Sequence, residues 1–174
     1  MDKHAVHADL DRARATFHEL LDSAGPADLG QPTNGTRWTN KQLLFHMLLG
    51  YLIIPALLTL AWLLSHLPAS LSRAFARLLN VATRPFDAMN YWAARLAGNI
   101  LTLQRMGRMF DCITAVLHRM LDSTRDSELA RGMHYPTKWD PFFTDFMTVA
   151  DIFRFPTRHF DFHRRQLTLE DGPL

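Results

Sequence analysis

Near the start of the chain, apolar residues recur with helical spacing. Leu10, Phe17 and Leu21 stand seven and four apart, with Ala13 and Leu20 beside them. One apolar stripe of this kind predicts a helix over 3–23 packed on a core by a single face. Gly25-Pro26 stops it, and a polar loop containing the turn pair Asn34-Gly35 follows. Thr39 followed by Gln42 forms the capping-box signature of a second helix, with Trp38 in the staple position before the cap. That helix carries His46 on its second turn and runs on through Met47–Leu64, a stretch without a charged residue in which Pro55 predicts a kink.

A shorter helix is predicted from His66 to Asn80, opened by Pro68, with Leu71, Phe75, Leu78 and Leu79 on one side. Arg84-Pro85 interrupts the pattern. A long helix is then predicted over Phe86–Leu121, its apolar positions including Met89, Trp92, Leu96, Ile100, Leu103, Phe110 and Leu117. Residues 122–140 read as a loop with Gly132 and Pro136. Asp140-Pro141 supplies a cap and a first position for a last helix running to Leu167, bent or broken at Pro156. No segment shows strand alternation, and no internal repeat is present. The expected class is all-α: one four-helix-type domain over 1–174, with an additional helical segment between the second and third bundle helices.

Met47–Leu64 has the length at which a membrane span becomes a candidate. It is short for a span, it has no second such segment, and a helical bundle needs it to close its core. A buried helix is therefore the reading taken, with membrane association as the alternative. The excess of apolar surface also implies a homodimer or a large apolar pocket.

Composition narrows the function classes. Hydrophobic residues make up 48% and charged residues 21%, which excludes wholesale disorder. The net charge is only +2, and no basic run is interleaved with aromatic residues, so a nucleic-acid partner is not expected. A single cysteine, Cys112, excludes an internal disulfide framework and fits a reducing compartment. The polar first residues carry no secretory signal pattern, which gives a cytoplasmic expectation.

Nine histidines are present, and their placement carries the chemistry. His159 and His163, four residues apart on the predicted last helix, lie about 40° apart around its axis on adjacent turns. Two such imidazoles can chelate one ion without backbone movement. No H-E-x-x-H motif accompanies them, so no glutamate base is built in. His46 sits in an otherwise apolar run, where a buried imidazole needs a partner. It is either a core histidine bonded to a neighbouring polar group or a third ligand facing His159 and His163 across the bundle, leaving one face of the ion open. His4 and His7 lie at a terminus, and His18 and His66 lack chelating neighbours. Gln104, Asp111 and His118 fall at heptad spacing with Thr114 between, as a polar pocket lining, a set of second partners for the ligands, or a solvated face.

Trp38-Thr39 followed by His46, with His159-x-x-x-His163 and Gln166-Leu167 near the end, resembles the DinB/YfiT-like superfamily over residues 8 to 168. The resemblance implies an up-down-down-up four-helix bundle and a divalent metal (zinc, nickel or iron) on His46, His159 and His163. It also implies a metal-dependent enzyme: relatives of this kind include mycothiol- or bacillithiol-using S-transferases, others have no known activity, and many are dimers. The segment from Gly50 to Arg84 is longer and more apolar than that pattern, which points to a hydrophobic small-molecule substrate or an added interface. The functional expectation is thiol transfer, with a low-molecular-weight thiol as co-substrate, or metal-assisted hydrolysis. The alternatives are a non-catalytic metal-binding stress-response protein and a membrane-associated helical protein. Asp111 and His118 are the candidate bases, and Arg158, Arg164 and Arg165 the candidate attraction for an anionic co-substrate.

Overall fold

The computed structural model describes residues 1–169, so the end of the expected 1–174 domain lies outside the described residues. Its helices are α1 (Lys3–Ser23), α2 (Asn40–Leu52), α3 (Ile54–Leu64), α4 (Ala69–Val81), α5 (Thr83–Ile100), α6 (Leu103–Ser123), the short α7 (Asp126–Leu129) and α8 (Val149–Arg164). Two three-residue strands, β1 (Gly132–His134) and β2 (Phe146–Thr148), pair antiparallel with Met133 opposite Met147.

The bundle is formed by α1, the α2–α3 pair, α6 and α8. Helices α1 and α6 run antiparallel: Lys3 donates to the Thr124 carbonyl near one end, and Arg14 meets Asp111 at 2.6 Å further along. Helices α2 and α8 are antiparallel too, with His46 opposite His163 and the Tyr51 hydroxyl 3.3 Å from Thr157 Oγ1. Phe17, Tyr51, Phe110 and Phe160 meet in one fully buried layer, with Phe17 stacked on Phe110 at 4.4 Å. Full burial of each contributes about 1.5–3 kcal/mol. The additional segment between the second and third bundle helices is α4 and α5. Helix α5 lies so close along α2 that a Cβ on Gly98 would stand 2.8 Å from the Gln42 Cα.

Four expectations change. The long helix predicted over Phe86–Leu121 is two helices, because Thr102 adopts an extended backbone and caps α6 through Arg105 N. The break expected at Arg84-Pro85 falls two residues earlier, at Ala82: both residues lie in the first turn of α5, where proline removes no intrahelical bond. The last helix starts at Val149 rather than at Pro141. Asp140 does accept the Phe142 N–H as a cap would, but the turn ends at once, and the Thr148–Asp151 capping box begins α8 instead. Finally, residues 122–140, read as loop, contain α7 and β1, and β1 pairs with β2 beyond them. Three-residue strands are too short to show alternation.

Helix α8 runs unbroken through Pro156. The apolar stretch is divided at Ile53, with Pro55 in the first turn of α3. Helix α2 is buried along most of its length. Helix α3 buries Ile54, Leu58 and Ala61 but exposes Trp62 and Leu63. Asn40–Leu64 is long and apolar enough to cross a membrane by length and composition alone, a property shared by core helices of soluble bundles, and 39% of its most apolar 18-residue window is buried inside the fold. Leu71 and Leu78 on α4, and Met89, Trp92, Leu96 and Ile100 on α5, extend this exposed apolar ridge.

Candidate metal centre

His46 comes from α2, and His159 and His163 come from adjacent turns of α8. One ring nitrogen of each lies within 4.8 Å of those of the other two. The nitrogens His46 Nε2 and His163 Nε2 are 3.2 Å apart. Tetrahedral ligands at about 2.0–2.1 Å from zinc stand roughly 3.3–3.4 Å from one another, so this pair is already at ligand spacing.

The rings are held from several sides. Trp38 stacks on His46 at 4.4 Å and donates its indole N–H to the Tyr91 carbonyl of α5. Trp38 is thus a roof over the site, a role beyond the staple position read from sequence. His163 Nδ1 donates to Gln166 Oε1 at 2.7 Å, which leaves Nε2 with its lone pair facing the centre. Gln166 is itself tied down, since its carbonyl accepts Asn34 N–H at 2.8 Å from the loop that turns at Gly35, φ +73°. His159 has its Nδ1 edge against Gly50, one turn after His46 on α2, where a Cβ would stand 2.7 Å from Nδ1. Gly50 is what lets this ring reach the centre.

Burial sets the protonation. His46 and His159 are only 6% and 5% exposed. Desolvation, with His163 close by, pushes His46 down to about 3, and Asn90 beside the ring opposes this weakly. Asn90 makes no well-formed hydrogen bond to it: the Nδ1 atoms of His46 and His159 are both buried without a partner. Burial lowers His159 well below the usual imidazole value and His163 to a lesser degree. Three neutral imidazoles, each with a ring nitrogen within 4.8 Å of the others, form a donor set that fits a divalent cation, and the buried Nδ1 atoms of His46 and His159 have no competing partner.

A carboxylate that sequence reading assigned only to a helix cap lies next to this set. Asp140 Oδ2 is 3.7 Å from His159 Nε2, and burial raises its carboxyl to about 6. Its signal was present in Trp139-Asp140-Pro141, but a cap explained it fully. The candidate bases Asp111 and His118 lie elsewhere, on the seam between α1 and α6. Burial raises the Asp111 carboxyl, but hydrogen bonds from His18 and Arg14 outweigh it and hold the group below its ordinary value. His118 is engaged with His7 and Asp11. Thr114 is bonded to its own helix, and Gln104 lies in the same outlying groove as Asp111. Arg158, Arg164 and Arg165 point to solvent, and the cation near the centre is Arg37, stacked over Tyr91 at 4.6 Å.

The triad forms part of the wall of a cavity of about 390 Å³, within the range of small-molecule sites. Its remaining walls are mostly apolar: Leu49 from α2, Ile53 at the junction with α3, Phe86 and Met89 from α5, and Trp139 and Phe143 from the segment before α8. Helix α5 therefore closes the side of the bundle on which the histidines meet.

No protein-family model matches the chain, and no curated protein matches it. Among solved structures, one from Bacillus subtilis is similar over 95% of this chain and 83% of its own, with a TM-score of 0.66 and 15% identity. It is described as YfiT, "a probable metal-dependent hydrolase with an unusual four-helix bundle topology". The fold is that of YfiT. The expected four-helix bundle thus describes this chain, and the three-histidine cluster sits within it.

Proposed function

We propose that the protein is a metal-dependent enzyme acting on a small hydrophobic molecule, with His46, His159 and His163 as the ligands of one divalent ion. The observation that carries this reading is the convergence of three uncharged imidazoles, two with orphaned nitrogens, at the wall of an apolar cavity. An ion held there supplies Lewis acidity and a nucleophile at neutral pH from water or a thiol. Zinc, nickel and iron all suit three imidazoles.

The chain's own residues supply the rest. Gln166 fixes the His163 tautomer, and Trp38 and Gly50 set the orientations of His46 and His159. Asp140 Oδ2 is placed to take a proton from an incoming nucleophile, since a carboxyl near 6 is ionised at neutral pH yet more basic than an ordinary aspartate. The aromatic walls exclude water and seat the apolar part of the substrate. Hydrolysis is the reaction favoured, in keeping with the description of YfiT. Transfer of a low-molecular-weight thiol of the mycothiol or bacillithiol type is the second reading, supported by a further cleft of about 540 Å³ that meets the cavity at His163 and could receive a second reactant. A homodimer covering the exposed ridge of α4 and α5 belongs to the same proposal, and sedimentation velocity reads it.

The deciding experiment is elemental analysis of untagged protein and of its His46→Ala variant, followed by hydrolase and thiol-transfer assays with metal present and absent. One ion per chain, lost in the variant together with turnover, is the expected result. Unchanged occupancy in His46→Ala would overturn the cross-bundle ligand set.

A further inference from the structure

The centre sits where two cavities of opposite character meet. The apolar one, walled by Phe86, Trp139 and Phe143, shares three residues with the outer cleft: Trp38, Asn90 and His163. The outer cleft is the more polar of the two, although the rings of Trp38, Tyr91 and Phe162 also line it. Thr36, Asn90 and Gln166 line it with hydrogen-bonding groups, and it holds one cation, Arg37, and one anion, Asp87. Among the described residues these two charges form no ion pair with each other or with any other group. The Arg37 Cζ instead lies over the Tyr91 ring, 4.6 Å from its centroid, which keeps the guanidinium at the cleft. A cleft that keeps opposite charges on its walls without joining them is complementary to a head that itself carries both.

We propose that the ligand spans both cavities: an aromatic or aliphatic group in the inner cavity, and a zwitterionic head of the amino-acid type in the outer cleft. Its carboxylate faces Arg37 and its ammonium faces Asp87. This deepens the enzymatic reading above and rests on it for placing the reacting bond at the shared residues. The division of labour is specific. The bundle helices supply the triad, while α5 supplies Phe86, Asp87, Asn90 and Tyr91, so the additional segment selects the substrate.

Binding is the readout, which keeps this inference separable from turnover. The probes share a naphthyl group and differ in head: naphthylalanine, naphthylpropionate, naphthylethylamine and naphthylpropanol. Affinity is measured by quenching of tryptophan fluorescence, with protein both metal-free and zinc-loaded. Naphthylalanine is expected to bind tightest. Arg37→Gln should erase the advantage of the probes bearing a carboxylate, and Asp87→Asn that of the probes bearing an ammonium, each by about two- to fivefold as befits exposed charge pairs. Phe143→Ala should weaken all four alike. Equal affinity for the four heads would overturn the assignment. So would a zwitterion preference that survives in the Arg37→Gln, Asp87→Asn double variant, since the head would then be held elsewhere, for example on the ion. Absence of bound metal or of turnover in the unsubstituted protein, with the head preference intact, would sink the enzymatic reading and leave this one standing.

Discussion

Gly50→Ala tests the geometry of the centre without touching a ligand. The added Cβ would stand 2.7 Å from His159 Nδ1 and 3.0 Å from its Cε1. Ordinary contact begins near 3.4 Å, so the ring must retreat by about 0.7 Å. Ligand distances tolerate only about ±0.2 Å, so this retreat removes His159 from any shared ion. Two stability effects oppose each other. Alanine in place of glycine inside a helix gains about 1 kcal/mol, and overpacking a filled site costs about 1–3 kcal/mol. The metal-free variant should therefore melt within a few degrees of the parent, while its zinc affinity falls at least tenfold. Thermal melts on metal-free protein and competition against a zinc chelator measure the two separately. Gly98→Ala is the control: there the new Cβ meets the Gln42 backbone at 2.8 Å, which cannot rotate away, so stability should fall while the affinity of the remaining folded protein is kept. Zinc affinity unchanged within twofold in Gly50→Ala would refute the placement of His159 as a ligand.

Metal-free protein should lose stability as pH falls. The folded His46 titrates at about 3 and an unfolded histidine near 6.5, so the unfolded chain binds the extra protons between these values; stability is complete above about 6.5 and drops by about 2 kcal/mol for His46 alone at pH 5, as denaturation at several pH values reads. Asp140→Asn should lower kcat/KM and remove its rise with pH near 6, while stabilising the metal-free fold at neutral pH, because the unfolded carboxyl ionises at about 3.9 and the buried one only at about 6, so the stability lost between those values stays lost above them. Thr148→Ala removes the α8 cap and should cost about 1 kcal/mol in chemical denaturation without changing the metal content.

The sequence carried the bundle more legibly than its connections. Thr39 and Gln42 announced the start of α2 because a capping box is a local signal that survives in the fold. The i, i+4 spacing of His159 and His163 fixed their common face for the same reason. The boundary between α5 and α6 was hidden, since Leu96, Ile100 and Leu103 keep the helical period across it. Only Thr102, an isolated cap without an acidic partner, marks the break. Asp140-Pro141 misled because it closes a single turn with the hydrogen bonds of a helix cap. Tertiary contacts were the least visible part. Nothing local told that Gly50 clears space for His159, that Trp38 covers His46, or that Asp111 and His118 belong to the seam with α1 rather than to the centre.

The site divides between two parts of the chain that answer to different constraints. The triad needs only α2 and α8 in antiparallel register, and that register is fixed by pairs well inside the bundle, such as Tyr51 with Thr157. The cavity in front of it needs α5, which is pinned to α2 by the Gly98–Gln42 approach and by Gln42 Nε2 donating to Asn99 Oδ1 at 3.1 Å. Ligand geometry and substrate walls therefore meet at few residues, chiefly Trp38 and Asn90. Substitutions confined to the α5 face of the cavity should change which molecule is bound while sparing the ion, and their effects should add to those of ligand substitutions. Coupling well above 0.5 kcal/mol between Phe86→Ala and His159→Ala in folding stability would mean that the two parts are one mechanical unit, and that the additional helices do more than supply a wall.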